Sequence, residues 1–325
     1  MIGAGRRLPA VDALARGISN LRANAELVIV QLVAMLFMAA SFAVPVVIFL
    51  QRAGVAPTVL FSEDPQKIQD AFAAIDLDPA TLLGAFGVGL VVLLVGGTVL
   101  FVFYCWAQAG TLAVLSAGDA QAPVARHAPV DVFRTFSWRA FLSWSFRYVW
   151  RLFWLNNLYL VLLSLALLLF VVPFLFVGDS LEGGDFGPTC LLACGLAIPL
   201  VFLFFVLWIA LQVSAAVMVI DDAGIGRAFR RGFSLTGRRL GGLLLLVLLL
   251  VVASMATGGV ILLLKLGVGL AFSEPSALRF GLSAGLEILN FLLSTTFALI
   301  FSSALIALVR GESRHDAALA MPPAT

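Results

Sequence analysis

The sequence predicts an all-α integral membrane protein of six transmembrane helices with both termini cytoplasmic, and three observations carry that reading. Apolar runs cover roughly 27–50, 83–110, 152–177, 190–219, 243–264 and 286–308. Each reaches the ~20 residues that a helix rising ~1.5 Å per residue needs to cross a ~30 Å hydrocarbon layer. The chain is also 62% hydrophobic and 12% charged, about half the ~25% charge of average domains. Finally, the basic residues alternate between the segments that join the runs. Sixteen lie in the amino-terminal segment, the second and fourth loops and the tail, against four (Arg52, Lys67, Lys265, Arg279) in the other loops. Basic residues concentrate on the cytoplasmic side of spans, and a span in lipid must satisfy its own backbone polar groups, which makes these runs helices. Strands of a membrane barrel would alternate in polarity over ~10 residues, and no segment does.

Before the first run, Val11, Leu14, Ile18, Leu21 and Ala25 recur at helical spacing, with Arg16, Asn20 and Arg22 elsewhere on the circumference. The first run itself contains Ala39–Ala43, which resembles a cleavage region. Twenty-six residues precede this run and it continues to Leu50, unlike the ~7–15-residue apolar core of a signal peptide, so an uncleaved span is expected. In the first outer loop, Ser62-Glu63-Asp64-Pro65 starts a short helix striped by Ile68, Phe72 and Ile75. Asp76 and Asp78 there lack the ligand spacing of a calcium loop.

Ahead of the third run, Arg139, Arg147 and Arg151 line one side of a helix opposite Phe141, Tyr148, Val149 and Leu152. Trp138, Trp144, Trp150 and Trp154 cluster where aromatic side chains anchor at headgroups. Ahead of the fifth run, Arg227, Arg230, Arg231 and Arg238 oppose Ile225, Phe229, Phe233, Thr236 and Leu240. Basic amphipathic helices of this type lie in the membrane interface with the apolar side down. Candidate headgroup contacts are therefore Arg147, Arg151, Arg230, Arg231, Arg238 and Arg239, with anionic lipids as the expected partner and a membrane protein as a further one. Dispersed arginines beside spans, with no soluble domain, exclude nucleic acid.

The pattern repeats. Ala13-Leu14-Ala15-Arg16-Gly17-Ile18-Ser19 parallels Ala228-Phe229-Arg230-Arg231-Gly232-Phe233-Ser234 at an offset of 215, and Phe42–Pro45 parallels Phe170–Pro173 at 128. Gln108-Ala109-Gly110-Thr111 parallels Gln212-Val213-Ser214-Ala215, and Phe301-Ser302-Ser303-Ala304 resembles both. One membrane domain, 1–325, is expected to hold three tandem helical-hairpin repeats (about 10–120, 128–222 and 223–310) and a polar tail, 311–325. Each repeat is a cytoplasmic amphipathic interfacial helix, an outward span, an outer loop and an inward span.

The stretch 215–252, with Asp221-Asp222, Ala228-Phe229-Arg230-Arg231-Gly232-Phe233 and Leu235-Thr236, resembles the six-span membrane domain family named after glycerophosphoryl diester phosphodiesterase and related uncharacterised bacterial integral membrane proteins. In those sequences an inward span meets a short acidic turn, then an A-[LF]-R-R-[SG]-[WF]-x-L-T helix and another span. The resemblance implies a multi-pass protein of the bacterial plasma membrane. It implies no phosphodiesterase activity, which belongs to a separate soluble barrel rich in metal-binding carboxylates and histidines; this chain has only His127 and His315.

Ionisable groups within spans are functional candidates, and Lys265 and Glu287 qualify. The hairpin between them returns Glu287 toward Lys265, either as an interfacial ion pair or, with Asn290 one turn away, as a gate. Gln31, Gln108 and Gln212, with Asn156 and Asn157, either hydrogen-bond between helices or line a polar cavity. Cys105, Cys190 and Cys194 read as packing residues, because no matching ligands make a metal site. With no G-x-S-x-G, nucleotide loop or His-rich signature, neither enzyme activity nor a cofactor is expected. A lipid- or partner-interacting membrane protein is the leading function, and a transporter or permease for a small solute or lipid the alternative.

Overall fold

The computed structural model describes residues 8–52, 66, 69, 79–122, 129–182, 186–272 and 277–320. Its elements are helices α1 (Ala10–Ala23), α2 (Glu26–Arg52), α3 (Pro79–Gln121), α4 (Trp138–Glu182), α5 (Phe186–Ile220), α6 (Ile225–Ala271) and α7 (Ala277–Ala320), with a 3-10 turn at Val130–Phe133. Five described helices are long and apolar enough to cross a membrane, and a sixth crossing is reached if α1 and α2, which meet at 83°, form one broken span. The chain is a multi-pass helical membrane protein. Apart from 66 and 69, the expected loop helix at 62–78 lies outside the described residues, as do His127 and the side chains of Cys190 and Cys194.

The junctions ahead of α2 and of the apolar parts of α4 and α6 differ, and the sequence explains why. α1 carries Asp12 in its first turn and Arg22 in its last, each suited to the local end of the helix dipole. It stops at Asn24, whose backbone leaves the helix at φ −120°, ψ 44°. In α6 the break is at Arg239 (φ −122°, ψ 16°), between Gly237 and the pair Gly241-Gly242, residues that tolerate non-helical backbone. No Gly or Pro interrupts 138–172, so the amphipathic segment continues directly into the span within the 45-residue α4. At ~1.5 Å per residue this is about twice the hydrocarbon thickness. The first of the three expected interfacial helices is thus a separate element, the third is set off from its span by the break at Arg239, and the second runs on into its span.

The chain forms two compact units, 30–107 and the remainder, 1–29 with 108–325. In the first, Phe37 of α2 meets Phe103 of α3 with centroids 4.9 Å apart, and Phe103 stacks on Trp106 at 5.6 Å. Among the described residues of this unit Val33, Leu36, Leu94, Val95 and Val99 are exposed, while Val30 and Leu100 are buried.

The second unit holds the core. Buried residues concentrate at the carboxyl-terminal ends of α3, α5 and α7, where stretches such as 109–116, 213–219 and 303–309 are buried almost without interruption. Neighbouring helices thus enclose these ends on nearly every side. Small residues allow that enclosure. A Cβ on Gly17 of α1 would lie 2.7 Å from the Ala304 nitrogen of α7, and one on Gly110 of α3 would overlap Ser145 and Phe141 of α4. One on Gly232 of α6 would overlap Ser214 of α5. Near that last contact Tyr159 shares a 2.9 Å hydrogen bond with Ser214 and stacks on Phe233 at 5.8 Å.

Candidate functional site

The polar groups of the second unit gather where α3, α5 and α7 end. α3 and α5 finish on or beside acids, Asp119 and Asp221-Asp222, and the last three turns of α7 carry Glu312 and Asp316. A carboxylate at a helix carboxyl terminus opposes the dipole and a buried one needs a paired charge, so these acids need cations. Arginines supply them.

Asp119, 2% exposed, takes Arg16 Nε at 2.5 Å on one oxygen and faces Arg310 Nε at 3.0 Å on the other. Arg16 also donates to the carbonyls of Asp119 (3.0 Å) and Ala122 (3.1 Å), occupying acceptors that a helix end leaves open. Arg310 donates to the carbonyl and hydroxyl of Ser116 at 2.9 and 2.8 Å. Next to them Asn24 ties the connection to α4 onto α1. Its Nδ2 donates to the Phe133 carbonyl at 2.8 Å, and its Oδ1 accepts the Thr135 and Phe136 amides at 3.0 and 2.9 Å.

At the α5–α6 turn Arg231 holds Asp221 at 2.5 Å and Ser313 at 2.9 Å, while Arg147 and Arg151 take the two oxygens of Asp222 at 2.5 and 2.7 Å. Arg147 first, and Arg151 with it, hold the Asp222 carboxyl below its usual range. Asp222 also sits at φ 48°, a left-handed conformation that Asp tolerates better than most residues. On α7, Glu312 is fully buried against Arg239 Nε at 2.6 Å, and Arg238 reaches Asp316 at 3.3 Å.

Five of the six arginines read as headgroup contacts (Arg147, Arg151, Arg231, Arg238 and Arg239) are thus placed on carboxylates of this chain. The sixth, Arg230, is exposed. α1 is also turned differently from expectation. Arg16 and Asn20 face the protein while Val11 and Ile18 are exposed, because Asp119 and the Leu115 carbonyl, 2.8 Å from Asn20 Nδ2, draw the polar side inward. The continuation of α7 puts Glu312 of the expected tail into the core.

Lys265 of α6 donates to Glu287 of α7, so the hairpin brings these two together. Asn290 is part-buried one turn from Glu287. Gln108 and Gln212 are part-buried on α3 and α5, and the buried Oε1 of Gln108 has no hydrogen-bond partner among the described residues. Asn156 and Asn157 each donate to a carbonyl one turn back on α4, at 2.9 Å. Among the described residues no group of three or more His, Cys, Asp or Glu side chains comes together.

No family model matches the chain, and no curated protein or solved structure matches it either.

Proposed function

We propose that this chain is a non-enzymatic, lipid-interacting protein of the bacterial plasma membrane, its basic end on the cytoplasmic side against anionic headgroups, where it also offers a seat for a membrane-protein partner. The observation that carries this reading is which arginines remain after internal pairing. Arg139 on α4 and Arg227 and Arg230 on α6 are exposed, and α4 also exposes Trp138, Trp150 and Trp154. Arginine beside tryptophan is the chemistry of a headgroup layer. The resemblance of 215–252 to the six-span membrane domain family is consistent with this assignment.

The finer architecture is three repeats. Gly17, Ser145 and Gly232 are related by the offsets of 128 and 215, and each packs on an inward helix at Ala304, Gly110 or Ser214. The first segment of each unit thereby clasps the inward helix of the unit before it, the first clasping the third, which supports a cycle closed at the basic end. Such an end favours a fixed membrane seat over a passage.

The test is lipid preference. In nanodiscs of anionic against zwitterionic lipid, the protein is expected to melt higher in the anionic lipid, and Arg227→Ala/Arg230→Ala to erase the difference. An equal melting temperature in both lipids would count against the proposal. The transporter reading draws on one observation, the Oε1 of Gln108 without a partner among the described residues; solute flux into proteoliposomes that Gln108→Leu abolishes would favour it.

A further inference from the structure

From Leu278 to Ser294 α7 has no buried residue, and its exposed positions include two opposite sides of different chemistry. At 100° per residue, Leu278, Leu282, Gly285 and Leu289 share one side. Phe280, Glu287 and Ser294, at intervals of seven, share the roughly opposite one. Exposed Gly281 and Ile288 lie on one flank between them, and part-buried Leu286 and Asn290 on the other. The first side is wholly apolar and suits acyl chains. The second exposes a carboxylate and a hydroxyl, which are costly against hydrocarbon.

The Lys265–Glu287 pair leaves capacity unused. Glu287, with 63% of its side chain exposed, gives one oxygen to Lys265, and its other oxygen has no partner among the described residues. An ammonium carries three donors, of which Lys265 commits one here. A free anionic acceptor therefore sits beside free cationic donors. Below Lys265 on the same face of α6 come Leu262, Gly258 and Met255, at intervals of three, four and three. Leu262 and Met255 are exposed, and a Cβ on Gly258 or Gly259 would meet nothing within 4 Å. This is an open apolar strip descending from the ion pair.

We infer that the Lys265–Glu287 pair and the Gly258 strip form a binding site for a zwitterionic phospholipid whose headgroup carries a primary ammonium. Its phosphate accepts from Lys265, its ammonium donates to the free oxygen of Glu287, and an acyl chain lies over Gly258. A primary ammonium donates hydrogen bonds and a quaternary one does not, so the site separates ethanolamine from choline headgroups. This deepens the lipid-interacting reading at the end remote from the arginines, and the two fail independently because Arg227 and Arg230 take no part here.

The probe is protein purified from nanodiscs holding equal phosphatidylethanolamine, phosphatidylcholine and phosphatidylglycerol, washed in mild detergent, with retained lipid counted by native mass spectrometry. The wild type is expected to keep phosphatidylethanolamine at least tenfold over phosphatidylcholine. Glu287→Gln should reduce that ratio to near one, and Gly258→Phe should lower phosphatidylethanolamine retention at least fivefold with the charged pair intact. Arg230→Ala should leave the ratio unchanged. Equal retention of the two zwitterionic lipids by the wild type overturns the inference. So does a folded Gly258→Phe variant that keeps full retention, whether or not Glu287→Gln folds.

Discussion

Between Leu299 and Glu312, α7 is buried on nearly every side, with Ala304, Leu305 and Ile306 almost inaccessible; between Leu278 and Ser294 the same helix buries nothing. Both halves are rich in Leu, Ile, Phe and Ala, so hydrophobicity does not distinguish them. In a bilayer it gives little reason for helices to associate, since lipid tails are as apolar as Leu, and close packing and polar ties decide. The basic half has both. Gly17, Gly110 and Gly232 admit a neighbouring helix, and Arg16, Arg310 and Arg239 hold the buried acids Asp119 and Glu312. In the other half lie the pair Lys265–Glu287 and glycines such as Gly258 that no neighbour among the described residues approaches. One half is a folded core, and the other is, in the reading proposed above, a surface for lipid.

The strongest way to break that contrast is to remove Asp119. Asp119→Ala strands Arg16 and Arg310 in the core, and losing one member of a buried ion pair costs about 3–5 kcal/mol. Unfolding in mixed micelles should register that loss, and a cost below ~1 kcal/mol would mean the network does not hold the basic half together. Next comes one substitution made at both ends. Gly17→Ala places a methyl against the Ala304 backbone, where no flexible side chain can yield, and overpacking costs about 1–3 kcal/mol. Gly258→Ala meets open space, and replacing a helical glycine with alanine should stabilise by up to ~1 kcal/mol. Opposite signs are expected, and equal effects would remove the distinction between the halves.

Much of the fold is legible in the sequence. Long apolar runs give the helices, and Arg16-Gly17 and Arg231-Gly232 mark two sites of close approach, although spacing alone assigns those glycines no partners. The arginine network is not legible from the basic residues by themselves. Asp119, Asp221 and Asp222 sit at the carboxyl ends of α3 and α5, and Glu312 and Asp316 in the last turns of α7, in otherwise basic segments. An acid at the negative end of a helix dipole is the available signal that arginine must come to it. The Lys265–Glu287 pair is legible because a hairpin constrains it. The Arg16–Asp119 contact, 103 residues apart in the chain, has no such local constraint. A helix break is legible at Arg239 from its glycines and not at Asn24, whose role depends on the Thr135 and Phe136 amides it receives.

The smaller effects test where the contrast fades. Glu287→Gln should change stability by only ~0–1 kcal/mol, as for a solvent-accessible pair, even where it abolishes lipid selection. At the α5–α6 turn, Asp222 combines exposed ion pairs with a left-handed backbone, and two substitutions separate these. Asp222→Ala loses the arginines and places a β-carbon residue at φ 48°. Asp222→Gly loses the arginines but relieves the backbone, so glycine should melt above alanine; the reverse order would mean that the turn is not strained. Acid separates the ionic part. The carboxyl's folded pKa lies below its unfolded value of about 3.9, so its stabilisation is complete above that value and is lost as pH falls through the lower, folded one. Between neutral pH and about 5, wild type and Asp222→Gly should keep a constant difference, and below about 4 that difference should shrink. A difference that shrinks already near pH 6 would assign the sensitivity to another group.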